Sequence, residues 1–241
     1  MRISEDPAMS AVETLALKAA ACRANVLLEG ESGVGKAFIA RRIHQGSVQA
    51  GRGFFSLFCL PGHDGRLDSS PLAAQLDALA RDNGTIYLRE LDLLDKLGQQ
   101  ELLAYLDERD ARIEICPHGS RDFPRLIFSS QQTLGTACEQ GRFLRQLYLR
   151  VSVITIKVPP LRLRETDILS LANHFLSVYA RRECKTIRGM TPDAVHLLRR
   201  MAWEGNIHQL KNAMNQAVVM ADDGQVLSAG VLRGVLAQGR G

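Results

Sequence analysis

Seven residues, Gly30-Glu31-Ser32-Gly33-Val34-Gly35-Lys36, carry the chemistry most open to reading in this chain. They fit the G-x-x-x-x-G-K spacing of a phosphate-cradling loop. Glycines let successive backbone N–H groups turn inward around phosphate oxygens, a following helix adds the positive end of its dipole, and the lysine contributes a mobile charge. The alternative is a structural glycine turn with an exposed lysine. Ala37 follows where a Ser or Thr hydroxyl would ligate Mg²⁺, and alanine has none. Other chemistries find no support. The six histidines show no metal-ligand spacing, so no metal site is expected. There is no G-x-S-x-G elbow. Cys116-Pro117-His118 reads as a turn before a strand.

The loop needs a strand before it and a helix after it, and the sequence supplies both. Val26-Leu27-Leu28 is a short apolar run without polar alternation, the pattern of a strand buried on both faces, and Ala37 to His44 has helical spacing. A helix is expected over residues 10–24, and further strands over Phe54–Leu60, Gly84–Leu88, Arg125–Ser129 and Val151–Val158. Helices over Leu72–Ala80 and 91–109 separate them. Strands alternating with helices imply an α/β fold with a mostly parallel sheet. Beyond Pro159-Pro160 only helical periodicity remains, over Ile168–Arg181, Asp193–Met201 and Asn206–Ala221, with Gly205-Asn206 as a cap. The expected division is an α/β domain over 1–163 and a helical domain over 164–241.

The chain has 241 residues, long enough for a sizeable core, and 46% apolar with 23% charged side chains excludes disorder. No membrane-spanning run or signal peptide is visible. Five scattered cysteines without a Cys-x-x-Cys pair are expected as reduced thiols in a cytoplasm. Residues 1–120 carry 13 basic and 17 acidic side chains, residues 121–241 carry 17 and 9, so the halves stand at −4 and +8. The second half therefore offers either a face for phosphates or an acidic partner, or a solvated surface.

With the loop placed, the chain resembles the central AAA+ domain of sigma-54-dependent bacterial transcription activators, the enhancer-binding proteins. The resemblance rests on Gly30–Lys36, Ile39-Ala40-Arg41-Arg42-Ile43-His44, Gly141-Arg142-Phe143, Pro159-Pro160-Leu161-Arg162-Leu163-Arg164-Glu165-Thr166-Asp167-Ile168 and Trp203-Glu204-Gly205-Asn206, in order. It implies an α/β P-loop domain followed by an all-α lid, ATP hydrolysis in a ring, and force passed to the sigma factor through a loop bearing GAFTGA. Nothing resembling that motif stands between Cys59 and Gly84.

The resemblance also locates departures. Where the family has an Asp-Glu pair after an apolar strand, this sequence has Arg89-Glu90, keeping the carboxylate that polarises water and replacing the one that holds metal by a guanidinium. Arg89 either aims at the phosphates or turns aside to pair with Glu90 or Glu29. The sensor asparagine aligns with Gln131 and the lid arginine with His208. The first candidate arginine finger aligns with Leu144, beside Arg145, and the second with Arg150. Arg145, Arg150, Arg162 and Arg164 are expected near a seam between protomers. Arg41 and Arg42 belong to a solvated helix face or contact a nucleotide.

The expected nucleotide-binding set is Gly30, Glu31, Ser32, Gly33, Val34, Gly35, Lys36, Ala37, Arg89, Gln131 and His208, with Glu90 and Arg150 as catalytic candidates and no metal ligand. The resulting reading is a degenerate AAA+ regulatory module that binds ATP or another nucleotide, has little use for Mg²⁺, and hydrolyses weakly or not at all. An active ATPase, a nucleotide-free scaffold and a cyclic-dinucleotide sensor stay open. Self-association, other regulator domains and the transcription machinery are the expected partners; no helix-turn-helix for DNA and no membrane segment is present in the sequence.

Overall fold

The computed structural model describes residues 4, 6–59, 72–115 and 123–238. Leu60, Cys116-Pro117-His118 and most of the stretch where the GAFTGA loop would stand lie outside them. Two compact units emerge, one formed by residues 12–31 and 36–158, the other by residues 1–11, 32–35 and 159–241.

The first unit is built on five parallel strands, β1 (Val26–Glu29), β2 (Phe54–Phe58), β3 (Thr85–Arg89), β4 (Arg125–Ser130) and β5 (Ile154–Lys157), in the order β2-β3-β4-β1-β5. Parallel pairing demands crossovers, and the helices after β1 supply them: α2 (Lys36–Gln45), α3 (Leu72–Ala80), α4 (Lys96–Ile115), α5 (Leu134–Glu139) and α6 (Arg145–Val151); α1 (Pro7–Ala20), which belongs to this unit from Val12 onward, precedes β1. Leu27, Ile86, Leu88, Leu126 and Phe128 are buried with Leu76, Leu102, Leu106, Leu134 and Leu147 of α3 to α6. By strand alternation Val26, Leu28 and Ile127 face the other way, and they are equally buried, as are Val12, Ala16, Ile39 and Ile43 of α1 and α2. Burying each such side chain stabilises the fold by about 1.5–3 kcal/mol.

Several boundaries differ from expectation. The helix expected over 10–24 begins at Pro7, because proline suits a first helical position and the Asp6 carboxylate accepts from Ala8 N at 2.9 Å. The helix expected over 91–109 divides into a 3₁₀ turn at Leu91–Leu93 and α4, which Asp95 caps by accepting from Gly98 N at 2.8 Å. Val151 closes α6 rather than opening a strand. Leu147 and Val151 lie four residues apart and are both buried against the sheet, so helical packing overrides the β-branched run that reads as a strand from Val151. The strand itself is Ile154–Lys157.

The second unit contains α7 (Glu165–Arg182), α8 (Pro192–Arg200), α9 (Asn206–Met220) and α10 (Ala229–Gln238) around Ile168, Leu176, Leu198, Trp203, Leu210, Met214 and Leu232. Helix α10 was not expected, although Leu232 and Val235 carry helical spacing. Among the described residues no helix is long and apolar enough to cross a membrane.

Candidate functional site

The glycine loop leaves β1, and β1 occupies the point in the sheet where strand order reverses direction. Its neighbours are β4 on one side and β5 on the other, and ligands of open α/β sheets bind outside the carboxyl ends of strands at such a switch. Gly30 N donates to Ser130 O at 3.2 Å, so the loop springs from the paired ends of β1 and β4. Lys36 opens α2 and is only 6% exposed. Its Nζ donates to Gly30 O at 2.6 Å and Glu31 O at 3.2 Å, and stands 3.7 Å from Glu90 Oε1. Burial pushes the Lys36 pKa down; Glu90 and Asp92 oppose that shift and Arg89 adds to it. Ala37 follows in the first turn of α2 with no hydroxyl.

Glu90 sits just past β3 in the left-handed region, φ 58° and ψ 55°, an arrangement that costs a non-glycine residue about 1–2 kcal/mol. Its N–H donates to Ser129 Oγ at 3.3 Å, which fixes the turn, and its buried Oε2 has no hydrogen-bond partner among the described residues. The strained turn and the unsatisfied carboxylate oxygen thus stand together beside the loop lysine. Arg89 departs from the pairing with Glu90 or Glu29 weighed above. Its guanidinium lies over the Phe58 ring, 5.2 Å from the centroid, because Phe58 is its register partner on β2. Glu29 instead accepts from Leu134 N at 2.8 Å, and burial raises its pKa.

Gln131 is exposed just after β4, and its N–H donates to Asp92 Oδ1 at 3.0 Å. Arg150 is bound within its own chain, to Asp107 at 2.7 Å and Asp110 at 2.8 Å on α4. Leu144 donates through its N–H to Gln99 Oε1 at 2.8 Å, and Arg145 beside it is exposed. Arg41 stacks on Phe54 at 4.9 Å, whereas Arg42 reaches Gln45 Oε1 at 3.4 Å.

The loop tip, residues 32–35, belongs to the second unit. Three consecutive tip carbonyls are held there: Ser32 O accepts from Asn206 Nδ2 at 2.9 Å, Gly33 O from Ile207 N at 3.0 Å, and Val34 O from an Arg164 guanidinium N–H at 3.0 Å. These three bonds hold the backbone of the loop tip within the second unit. Gly33, at φ 76°, must be glycine, since a Cβ there would lie 2.5 Å from Gly205 O. His208 on α9 is exposed, and its Cβ would lie 3.4 Å from that same Cβ.

Two of these residues carry roles the sequence reading missed. The Asn206 side chain was expected to cap a helix, yet α9 has no side-chain cap, and the amide serves Ser32 O and accepts from Leu161 N at 2.8 Å. Arg164 was expected near a protomer seam, yet it is 2% exposed and binds Val34 O and Pro159 O. Their signal was present in the segments Pro159–Ile168 and Trp203–Asn206, where an arginine and an asparagine sit beside buried apolar residues.

Comparison with known proteins places this geometry. The Sigma-54 interaction domain family model matches residues 3–161, and that of the AAA+ ATPase lid domain matches residues 162–240. The transcriptional regulatory protein ZraR of Klebsiella oxytoca is 36% identical over 90% of this chain and 52% of its own length. The nitrogen fixation protein AnfA of Azotobacter vinelandii is 32% identical over 92% of this chain and 44% of its own. The chain thus spans about half the length of the curated relatives it matches. Among solved structures, NtrX from Brucella abortus in complex with ATP superposes with a TM-score of 0.79 at 23% identity, over 95% of this chain and 56% of that one. The RuvB branch migration motor of Thermotoga maritima gives 0.57 at 16%, over 93% and 66%. Both likenesses speak to the fold. The chain belongs to the sigma-54 interaction domain family of AAA+ proteins, with a C-terminal AAA+ lid.

Proposed function

We propose that this chain is the nucleotide-binding regulatory module of a bacterial transcription regulator, an α/β part over 1–163 with a lid over 164–241, which binds a nucleotide without depending on Mg²⁺ and hydrolyses it slowly or not at all. The observation that carries this reading is selective survival. The phosphate-facing parts are intact: the glycine loop with its three tied carbonyls and Lys36 buried beside Glu90. The metal-facing and transition-state parts have changed to Ala37, Arg89, Gln131, Leu144 and His208. The bound ATP of the NtrX relative, and ADP in a second structure of it, support a nucleotide as the ligand class.

The residues do not fit an ordinary Mg²⁺ site. Ala37 offers no oxygen, Glu90 already faces Lys36, and Arg89, turned onto Phe58, supplies no carboxylate for a metal. Among the described residues no cluster of three carboxylate, His or Cys groups is placed to hold a metal ion.

Without a GAFTGA loop the module does not remodel sigma-54 polymerase by itself; it acts by assembly or as a ligand sensor, in contact with other regulator domains. With Arg150 paired to Asp107 and Asp110 and Leu144 at the first finger position, the exposed Arg145 is the arginine left to act in trans, and a monomer or dimer is expected over a stable ring. The test is a calorimetric titration with ATP, ADP, GTP and cyclic dinucleotides, with Mg²⁺ and with chelator. Micromolar binding of a nucleotide that survives chelator is expected. Phosphate release at about one per second, the low end for competent phosphoryl-transfer enzymes, would instead establish an active ATPase. Absence of all binding would leave a scaffold.

A further inference from the structure

Ser4 and Asp6 are fastened to the first turn of α7, and the same turn is fastened to the phosphate loop. Asp6 accepts through one carboxylate oxygen from Ala8 N at 2.9 Å and through the other from Thr166 N at 3.0 Å, so a single side chain satisfies the amino-terminal ends of α1 and α7. Asp6 N donates to Ser4 Oγ at 2.9 Å, and that hydroxyl donates to Asp167 Oδ1 at 2.5 Å. The other Asp167 oxygen stands 3.9 Å from the guanidinium of Arg164, which donates to Val34 O at 3.0 Å. Asp167 and Arg164 are 7% and 2% exposed, so water does not compete freely for these contacts. The path Ser4, Asp167, Arg164, Val34 runs through four residues of one compact unit.

We propose that Asp167 and Arg164 are positioning residues through which the segment containing Ser4 and Asp6 sets the geometry of the phosphate loop. The physical reason is the sharing of donors. Arg164 has a fixed planar fork: its Nε and one terminal nitrogen bind the Pro159 carbonyl, and that same terminal nitrogen also donates to Val34 O. Asp167 holds that fork in orientation, and Ser4 holds Asp167. Displacing Ser4 and Asp6 removes one of the contacts that hold the Asp167 carboxylate, which can then draw the guanidinium away from Val34 O, and an untethered Val34 carbonyl lets its peptide unit rotate out of its place in the loop. Whatever pulls on the chain at Ser4 therefore loosens phosphate binding at Gly33 to Lys36, a control built from neutral and ionic hydrogen bonds.

The inference rests on the nucleotide-binding reading for its effect on affinity, but not for its effect on the loop. The full chain and its Ser4→Ala, Asp167→Asn and Arg164→Lys variants are compared in two measurements. Backbone amide shifts and hydrogen exchange of residues 33–36 without ligand report the loop directly. Titration with a fluorescent ADP analogue reports its use. The expected result is that Ser4→Ala and Asp167→Asn shift and deprotect the loop amides, with the thermal midpoint of Ser4→Ala unchanged. Binding of the analogue should weaken about fivefold or more in Asp167→Asn. Arg164→Lys, which keeps the charge and loses the fork, should show the same loop changes. Unmoved loop amides in both Ser4→Ala and Asp167→Asn would overturn the proposal, and so would a lowered midpoint with unmoved loop amides, since that marks a merely structural role. A wild-type chain that ignores the analogue would reject the nucleotide reading alone, leaving the amide shifts to judge the linkage.

Discussion

Asn206 offers the most quantitative check on how the phosphate loop is held. It is fully buried, its φ is 50°, and its amide accepts from Leu161 N while donating to Ser32 O. Replacing it by alanine removes three contributions. A buried Leu161 N–H left without an acceptor costs about 1–3 kcal/mol, and loss of the bond to Ser32 O, whose residue is exposed and can recruit water, about 0.5–1.5 kcal/mol. A left-handed backbone costs alanine about 1 kcal/mol more than asparagine, which tolerates it. The sum is about 4 kcal/mol for Asn206→Ala. Asn206→Gly loses the same two hydrogen bonds without the left-handed penalty, so it should destabilise by about 1 kcal/mol less. Trp203, the sole tryptophan, is buried three residues away in the same unit and donates to Leu198 O at 2.8 Å, so its fluorescence during urea unfolding reads this unit directly. A loss below about 1 kcal/mol in Asn206→Ala, or glycine proving as harmful as alanine, would refute the assignment of that amide as a tether of the loop.

Lys36→Ala should weaken nucleotide binding by about tenfold or more, the loss of a charge-assisted hydrogen bond. Because burial depresses the Lys36 pKa, wild-type affinity should begin to fall at a lower pH than an ordinary lysine would dictate, readable by titration in alkaline buffers. His44, buried between the Arg125 and Arg41 charges and bonded to Thr85 Oγ1 at 2.8 Å, has its pKa pushed down, first by burial. Its neutral form therefore contributes stability above the ordinary histidine value of 6.5 that drains away as pH falls below it, and His44→Gln should flatten that part of a urea-unfolding profile against pH. Arg89→Asp replaces a guanidinium that lies over Phe58 and away from the loop, so nucleotide affinity and its Mg²⁺ dependence should change little, and phosphate release should stay below about one per second because Ala37, Gln131 and His208 remain. In thiol titration at pH 8 Cys184, exposed after α7, should react at once, whereas Cys59, buried with its pKa pushed up to about 12, should wait for unfolding.

Much of the fold was open to reading because its signals are local. A glycine loop between an apolar run and a helix, and strands alternating with helices, arise from backbone sterics and the burial of short segments, so β1, α2, β3 and β4 fall within a residue or two of expectation. Boundaries moved where a neighbour's packing outweighs propensity, as Val151 shows by finishing a helix against the sheet. The candidate site divides in the same way. Residue types alone identify Lys36 as a phosphate cation and Ala37 as the end of metal ligation, since these follow from which atoms a side chain carries. Which way Arg89 points, where Glu90 sits on its strained turn, and what the Asn206 amide bonds depend on partners remote in sequence: Phe58, Lys36 and Ser32. A hydrogen bond across 174 positions leaves no periodicity to read. The tertiary fold alone brings the Asn206 amide to 2.9 Å from Ser32 O, and there the burial of polar atoms makes the choice of partner worth about a kcal/mol or more.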